Sequence, residues 1–110
     1  MKVEEKGHTI TIKDTQGSSS AFLEKVTEQY NSYKGKNLIL DLSLDGELSL
    51  NGMLAFLPLS NKHRKGKKSL VLVAPNFDYD EAPDEMVIVP TLLEAHDIIE
   101  MEEIERDLGF

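Results

Sequence analysis

"LSLNGMLAF", residues 48–56, places the pair Asn51-Gly52 between two apolar runs. Taken locally, an Asn-Gly pair flanked by apolar residues is the strongest short-range indication of a β-hairpin turn. The same pair also fits a junction between a strand and a helix, because Asn is a favoured residue at helix N-termini. The order of the surrounding elements decides between these two interpretations.

Three apolar runs flank this stretch and lack the polar alternation of a half-exposed strand. They are "NLILDLS" (37–43), "SLVLVA" (69–74) and "MVIV" (86–89). Strands without alternation are covered on both faces, which is typical of the parallel sheets of α/β proteins. We therefore expect these three runs to pair in parallel.

The N-terminal region predicts a further strand with a short partner. "TITIK" (9–13) alternates between polar and apolar residues, as a strand with one polar face does. We expect the partner strand to begin at Val3 and the chain to turn at Gly7.

Two other segments have the periodicity or the end residues of helices. Apolar and aromatic residues recur at helical spacing over 21–33, and Gly35 supplies a stop. Thr91 and Glu94 have the spacing of a capping box at the start of a C-terminal helix. We expect these helices to begin near Ser20 and Thr91.

This order of elements decides how the Asn51-Gly52 pair is used. The segment 52–68 has little strand alternation, and it must connect two buried strands that run parallel. A connection of this length between parallel strands is normally a crossover helix. We therefore predict a helix that begins near Asn51, with Asn51 as its N-cap. Pro58 should kink or restart this helix, because proline gives no N–H to Leu54.

The whole pattern predicts one α/β domain over residues 1–110, with a mostly parallel four- to five-stranded sheet and crossover helices. The composition, 40% hydrophobic and 29% charged, is ordinary for a globular chain. No apolar run has the length of a membrane span and the N-terminus lacks the apolar stretch of a signal peptide, so we expect a cytoplasmic protein without membrane contact. The absence of cysteine excludes disulfides and thiolate metal sites.

Charge is unevenly distributed along the chain. The net charge of −8 argues against a general nucleic-acid binder, since contacts to phosphates dominate such binding. The segment "NKHRKGKK" (61–68) is nevertheless strongly basic, whereas Arg106 is the only Lys or Arg from Asp78 onward. This asymmetry indicates either a solubilising surface or a face for a charged partner.

The sequence lacks the residue patterns of common catalytic and metal sites. His8, His63 and His96 have no zinc-ligand spacing, and we expect all three at the surface. No serine lies in a nucleophile elbow. The acidic stretch "DYDEAPDE" (78–85) lacks the glycine of a calcium-binding EF-hand loop. We therefore expect no catalytic residue, no metal and no cofactor.

Several segments, in order along nearly the whole chain, resemble those of STAS domains, the family of anti-sigma factor antagonists and sulfate-transporter cytoplasmic tails. The similar segments are "HTITIKD", the helix near 20–34, "KNLILDLS", "LSLNG", "KKSLVLVAP" and "VIVPTLLEAHDII". One departure is the acidic, proline-bearing segment 75–85, where the family usually has a helix. The resemblance implies a STAS-like fold and a non-enzymatic regulatory module that binds a protein such as an anti-sigma factor-like kinase.

The phosphorylated turn of that family has a different sequence in this chain. Switching members carry Asp-Ser-Ser-Gly at the strand-to-helix turn, and a kinase phosphorylates the serine before the glycine. Gly52 matches that glycine, Asn51 takes the phosphoacceptor position, and Leu50 and Ser49 take the first serine and the aspartate. Because Asn cannot accept a phosphate ester, the resemblance implies a binder without the usual off-switch.

We expect a partner to dock on residues 49–60. The helix after the turn has more apolar residues than one buried stripe needs, which indicates either extra core or a patch for a partner. A capping role for Asn51 is compatible with a recognition role. The expected partner-binding residues are Ser49, Leu50, Asn51, Gly52, Met53, Phe56 and Leu59.

Two other functions remain open. One is a sensor that holds a small ligand or anion at the start of the helix near Asn51. The other is an accessory protein of an RNA-processing enzyme, because the C-terminal "IIEMEEIERDLGF" is similar to short bacterial chains labelled ribonuclease Z. Nuclease activity itself is not expected, since the His-x-His-x-Asp-His motif of that zinc enzyme is missing. We expect a monomer or a weak homodimer.

Overall fold

The computed structural model describes residues 1–109. Within them the strands are β1 (Lys2–Lys6), β2 (Thr9–Lys13), β3 (Asn37–Asp41), β4 (Leu70–Val73) and β5 (Val87–Val89). The helices are α1 (Ser19–Glu28), α2 (Tyr30–Tyr33), α3 (Leu50–Leu54), α4 (Leu57–Lys65) and α5 (Leu92–Asp107). A 3₁₀ turn at Tyr79–Glu81 lies in the connection between β4 and β5.

The strands form one mostly parallel sheet in the sequential order β1-β2-β3-β4-β5. Strands β2 to β5 pair in parallel, with Leu40 beside Leu72 and Leu72 beside Ile88. Strand β1 pairs antiparallel with β2 after a turn at Gly7, whose φ of 59° suits glycine. The α/β class and the parallel pairing of the three apolar runs are confirmed.

Apolar side chains on both faces of the sheet explain why these strands lack polar alternation. Leu40 and Leu72 belong to a core packed against α1 to α4, which also receives the β4–β5 connection. Ile39 and Val71 belong to a second core, where α5 contributes Ile99. Each connection from β2 to β5 leads to the next strand in the same direction, and right-handed connections of this kind all lie on one face of the sheet. The other face is covered by α5.

The stretch 48–56 forms a strand-to-helix junction, as predicted, and not a hairpin. The predicted N-cap is wrong, however: the cap is Ser49, whose Oγ accepts a hydrogen bond from the Gly52 N–H at 3.0 Å. Asn51 lies inside the first turn of α3. The restart at Pro58 is confirmed, because α3 ends at Leu54 and Pro58 lies in the first turn of α4.

The two other helix starts agree with the sequence pattern. Ser18 is the N-cap of α1, and Thr91 caps α5 by accepting from the Glu94 N–H. The predicted helix over 20–34 is divided at Gln29 and ends before Gly35. No helix among residues 1–109 is long and apolar enough to cross a membrane.

Candidate functional site

The turn that precedes α3 opens onto a cleft at the carboxyl edge of the parallel strands. Loops that follow β3 and β4 form its walls, and its volume is about 470 Å³. The residues that line it are Glu47, Leu48, Ser49, Leu50, Asn76, Asp78 and Glu81.

The electrostatics of this cleft oppose an anion. Glu47, Asp78 and Glu81 line it, and no basic residue of the described chain does. The helix that starts here, α3, is only five residues long, so its dipole offers little compensation. The turn therefore suits a neutral or basic group better than a phosphate.

The predicted contact residues divide between the surface and the core. Ser49, Leu50 and Asn51 are exposed, and Gly52 is half-buried. Met53 and Phe56 are fully buried in the core, and Leu59 is 7% exposed. The expected patch of surplus apolar side chains is thus wrong for these three residues. They are core because α3 and α4 form two short helices that each bury a face.

An exposed stripe continues from the turn along α3 and α4. Asn51, Ala55, Pro58 and Lys62 are exposed. Ala55 lies one turn after Asn51, because its N–H bonds to the Asn51 carbonyl oxygen, and Lys62 lies one turn after Pro58 on α4. We call these four residues the α3–α4 stripe.

Three of them, from Ala55 to Lys62, border an apolar groove between α4 and the helices α1 and α2. The groove has a volume of about 190 Å³, and the Lys62 ammonium lies 4.7 Å from the centre of the Tyr30 ring at one end. Its lining residues are Leu23, Thr27, Tyr30, Ala55, Pro58, Leu59 and Lys62. Sequence reasoning found Leu59 but not the others, although the helical spacing from Asn51 to Lys62 was visible.

His63 lies behind this groove and is 1% exposed, so the prediction of a surface position was wrong. Its Nε2 is 2.7 Å from the Lys36 carbonyl oxygen, which can only accept, so Nε2 carries the proton. Nδ1 of the neutral ring therefore accepts from the Tyr30 hydroxyl at 2.8 Å. Burial lowers the pKa of His63, with a smaller contribution from the nearby Arg64. The ring is a neutral link between α2, α4 and the start of β3.

Two buried carboxyl groups lie at the same edge of the sheet as the turn. Asp14 and Asp45 are 2% and 5% exposed, and one Oδ2 of each has no hydrogen-bond partner in the described part of the chain. Burial, together with the hydrogen bond and the negative charge of Asp14, raises the pKa of Asp45 to about 6. A protonated Asp45 can donate a hydrogen bond to Asp14, which removes the repulsion between two buried carboxylates. The backbone N–H of Ser19, at the start of α1, acts in the opposite direction and lowers the pKa of Asp45 by a smaller amount.

The two other histidines do not come together with further metal-ligating side chains in the described part of the chain. His8 is exposed and lies 3.3 Å from a Glu103 carboxylate oxygen, while His96 is half-buried on α5. Among residues 1–109 no group of three or more His, Asp or Glu side chains is arranged to hold a metal ion.

No family model matches this sequence, and no curated protein is significantly similar to it.

Proposed function

We propose that this chain is a non-enzymatic, STAS-like interaction module that docks a partner protein through the turn at 49–52 and the α3–α4 stripe. The observation that carries the proposal is the continuity of the two surfaces. The exposed, capped turn is followed one helical turn later by Ala55, which borders the apolar groove. The resemblance to STAS domains supports the same surface independently.

The surface defines the chemistry of the partner. Leu50 and the groove offer apolar contacts, whereas the carboxylates of Glu47, Asp78 and Glu81 flank the turn. A fitting partner segment inserts an apolar side chain into the groove and presents a basic or amide group to the turn. An anti-sigma factor-like kinase or an RNA-processing enzyme such as ribonuclease Z is the proposed class of partner. Asn51 makes the association constitutive, because it accepts no phosphate ester.

The roles of the reactive side chains near the surface support binding rather than catalysis. The Ser49 hydroxyl is engaged in the α3 cap, and both ring nitrogens of His63 are occupied by Tyr30 and Lys36. The acidic cleft disfavours the alternative of an anion sensor at the start of α3. We propose a cytoplasmic protein without a cofactor.

Quantitative affinity capture tests this proposal. The immobilised chain, its Ala55→Arg variant and its Ala21→Arg variant are exposed to lysate from cells that express the chain. Ala55, directly after α3, and Ala21, on α1, are both exposed, and Ala21 does not line the groove. We expect a protein that the parent and Ala21→Arg retain and that Ala55→Arg loses. Equal capture by all three chains contradicts the proposed surface.

A further inference from the structure

A second cleft lies at the opposite, amino-terminal edge of the parallel strands, where α4 and α5 end. It has a volume of about 380 Å³, within the range of roughly 300–1,000 Å³ common for ligand sites. Arg64, Lys67, Lys68 and Arg106 line it together with Gly109. We call it the basic cleft. Four basic side chains thus line one cleft in a chain whose net charge is −8.

The two arginines of the basic cleft are held in place by hydrogen bonds. Arg64 donates from one terminal nitrogen to the Leu70 carbonyl oxygen at 2.9 Å and from the other to both Glu102 oxygens at 3.3 Å. Arg106 donates to the Ser69 hydroxyl at 3.1 Å and to the Asn37 side-chain oxygen at 3.3 Å. Guanidinium groups fixed in this way lose little further freedom when they bind an anion.

Positive charge in the basic cleft exceeds the negative charge that contacts it. Within residues 1–109, Glu102 is the one carboxylate within 4.0 Å of these four cations. The Nε–H of Arg64 is buried and has no hydrogen-bond partner among residues 1–109. The negative end of the α4 dipole accounts for basic residues in its last turn, but Lys67 and Lys68 lie beyond the helix.

Lys67 occupies a backbone position that normally belongs to glycine. Its φ of 63° lies in the left-handed region, and it closes α4 by donating its N–H to the Arg64 carbonyl oxygen. Lysine costs conformational free energy there, whereas glycine does not. Gly66 lies directly before it with an ordinary φ of −78°, so the glycine does not occupy the strained position. Strained backbone of this kind concentrates at functional sites.

We propose that the basic cleft binds the phosphate group of a small ligand. The terminal nitrogens of both guanidinium groups already bond to protein acceptors, so the arginines contribute fixed positive charge. Lys67 and Lys68, which have no carboxylate within 4.0 Å among residues 1–109, supply direct charge-assisted contacts to phosphate oxygens. A small ligand meets only the local field, since charges are screened over about 8 Å at physiological ionic strength. A long polyanion would also meet the acidic remainder of the surface. This proposal does not depend on the docking function of the opposite edge.

Titration of the full chain with inorganic pyrophosphate at low salt, followed by amide chemical shifts, tests the proposal. We expect saturable shifts at residues 67–69 and 106. Lys67→Gln should weaken binding by about tenfold, because it removes a charge-assisted contact. Lys65→Gln is the matched control: Lys65 is an exposed neighbour that does not line the cleft, and its loss should change binding little.

Lys67→Gly separates a binding role from a structural one. Glycine relieves the left-handed strain and removes the ammonium group, so the melting temperature should rise while pyrophosphate affinity falls. No saturable binding, or equal weakening by Lys65→Gln and Lys67→Gln, overturns the proposal. If short single-stranded oligonucleotides bind more tightly than pyrophosphate, with an affinity that grows with the number of phosphate groups, the assignment to a small ligand is overturned.

Discussion

His63 and Asp45 are buried titratable groups, and pH acts on them in opposite directions. Burial lowers the pKa of His63 from its ordinary value near 6.5, so its contribution to stability is present above that pH and is lost as the pH falls through the lowered pKa. The pKa of Asp45 is raised to about 6. The folded state therefore retains this proton more strongly than the unfolded state, and the resulting stability is lost as the pH rises through 6.

Asp45→Asn should stabilise the protein at neutral pH. The amide is uncharged, and its NH₂ group can donate to the free Oδ2 of Asp14. We expect a gain in the free energy of unfolding of about 1–2 kcal/mol near pH 7.5, which shrinks or vanishes near pH 4.5, where Asp45 of the parent keeps its proton. Urea unfolding at both pH values measures it. Asp84→Asn, an exposed control, should show no such pH dependence. An equal effect of Asp45→Asn at both pH values contradicts the raised pKa of Asp45.

Single residues were predictable from the sequence only where their partners are local. Thr91 was found because its partner, Glu94, is three residues away. The environment of His63 was missed because Tyr30 and Lys36 lie 33 and 27 residues away in the chain. A histidine inside a basic segment resembles a surface residue until the packing of α4 is known.

The start of α3 shows how an element can be predicted while its cap is not. Both Ser49 and Asn51 are residues that cap helices, and the Asn-Gly pair drew attention to the wrong one. Ser49→Ala should cost about 1 kcal/mol of stability, because the Gly52 N–H loses its acceptor. Asn51→Ala, inside the first turn and exposed, should change stability by less than about 0.5 kcal/mol. Thermal unfolding of the two variants measures the difference, and the reverse order would restore Asn51 as the cap.

The division of the crossover into two helices explains the burial of Met53 and Phe56. A single straight helix buries one stripe, so apolar residues on several faces suggested an exposed surplus. Helix α3 ends at Leu54 and a new helix, α4, starts at Leu57, so each short helix buries its own face. The restart was predictable from proline, but the angle between the helices depends on packing that one sequence pattern does not contain.

At the scale of the molecule, three uninterrupted apolar runs predicted the parallel sheet, because strands that are covered on both faces do not alternate between polar and apolar residues. The groove and the basic cleft were not predictable, since each combines residues from segments far apart in sequence. Leu23 and Ala55 meet across the groove, and Arg64 and Arg106 meet at the basic cleft. The turn at 49–52 and the basic cleft lie at opposite edges of the sheet, and the groove and the basic cleft share no lining residue, so each site can be altered without the other.

Photocrosslinking in cells that express the chain tests the central claim, docking through the turn and the α3–α4 stripe, most directly. A benzophenone amino acid is placed at Asn51 or Ala55, and in control chains at Ala21 or Glu105, all of which are exposed. We expect an adduct with one protein from both stripe positions and from neither control. Adducts that form equally from the controls, or only from them, would contradict the claim.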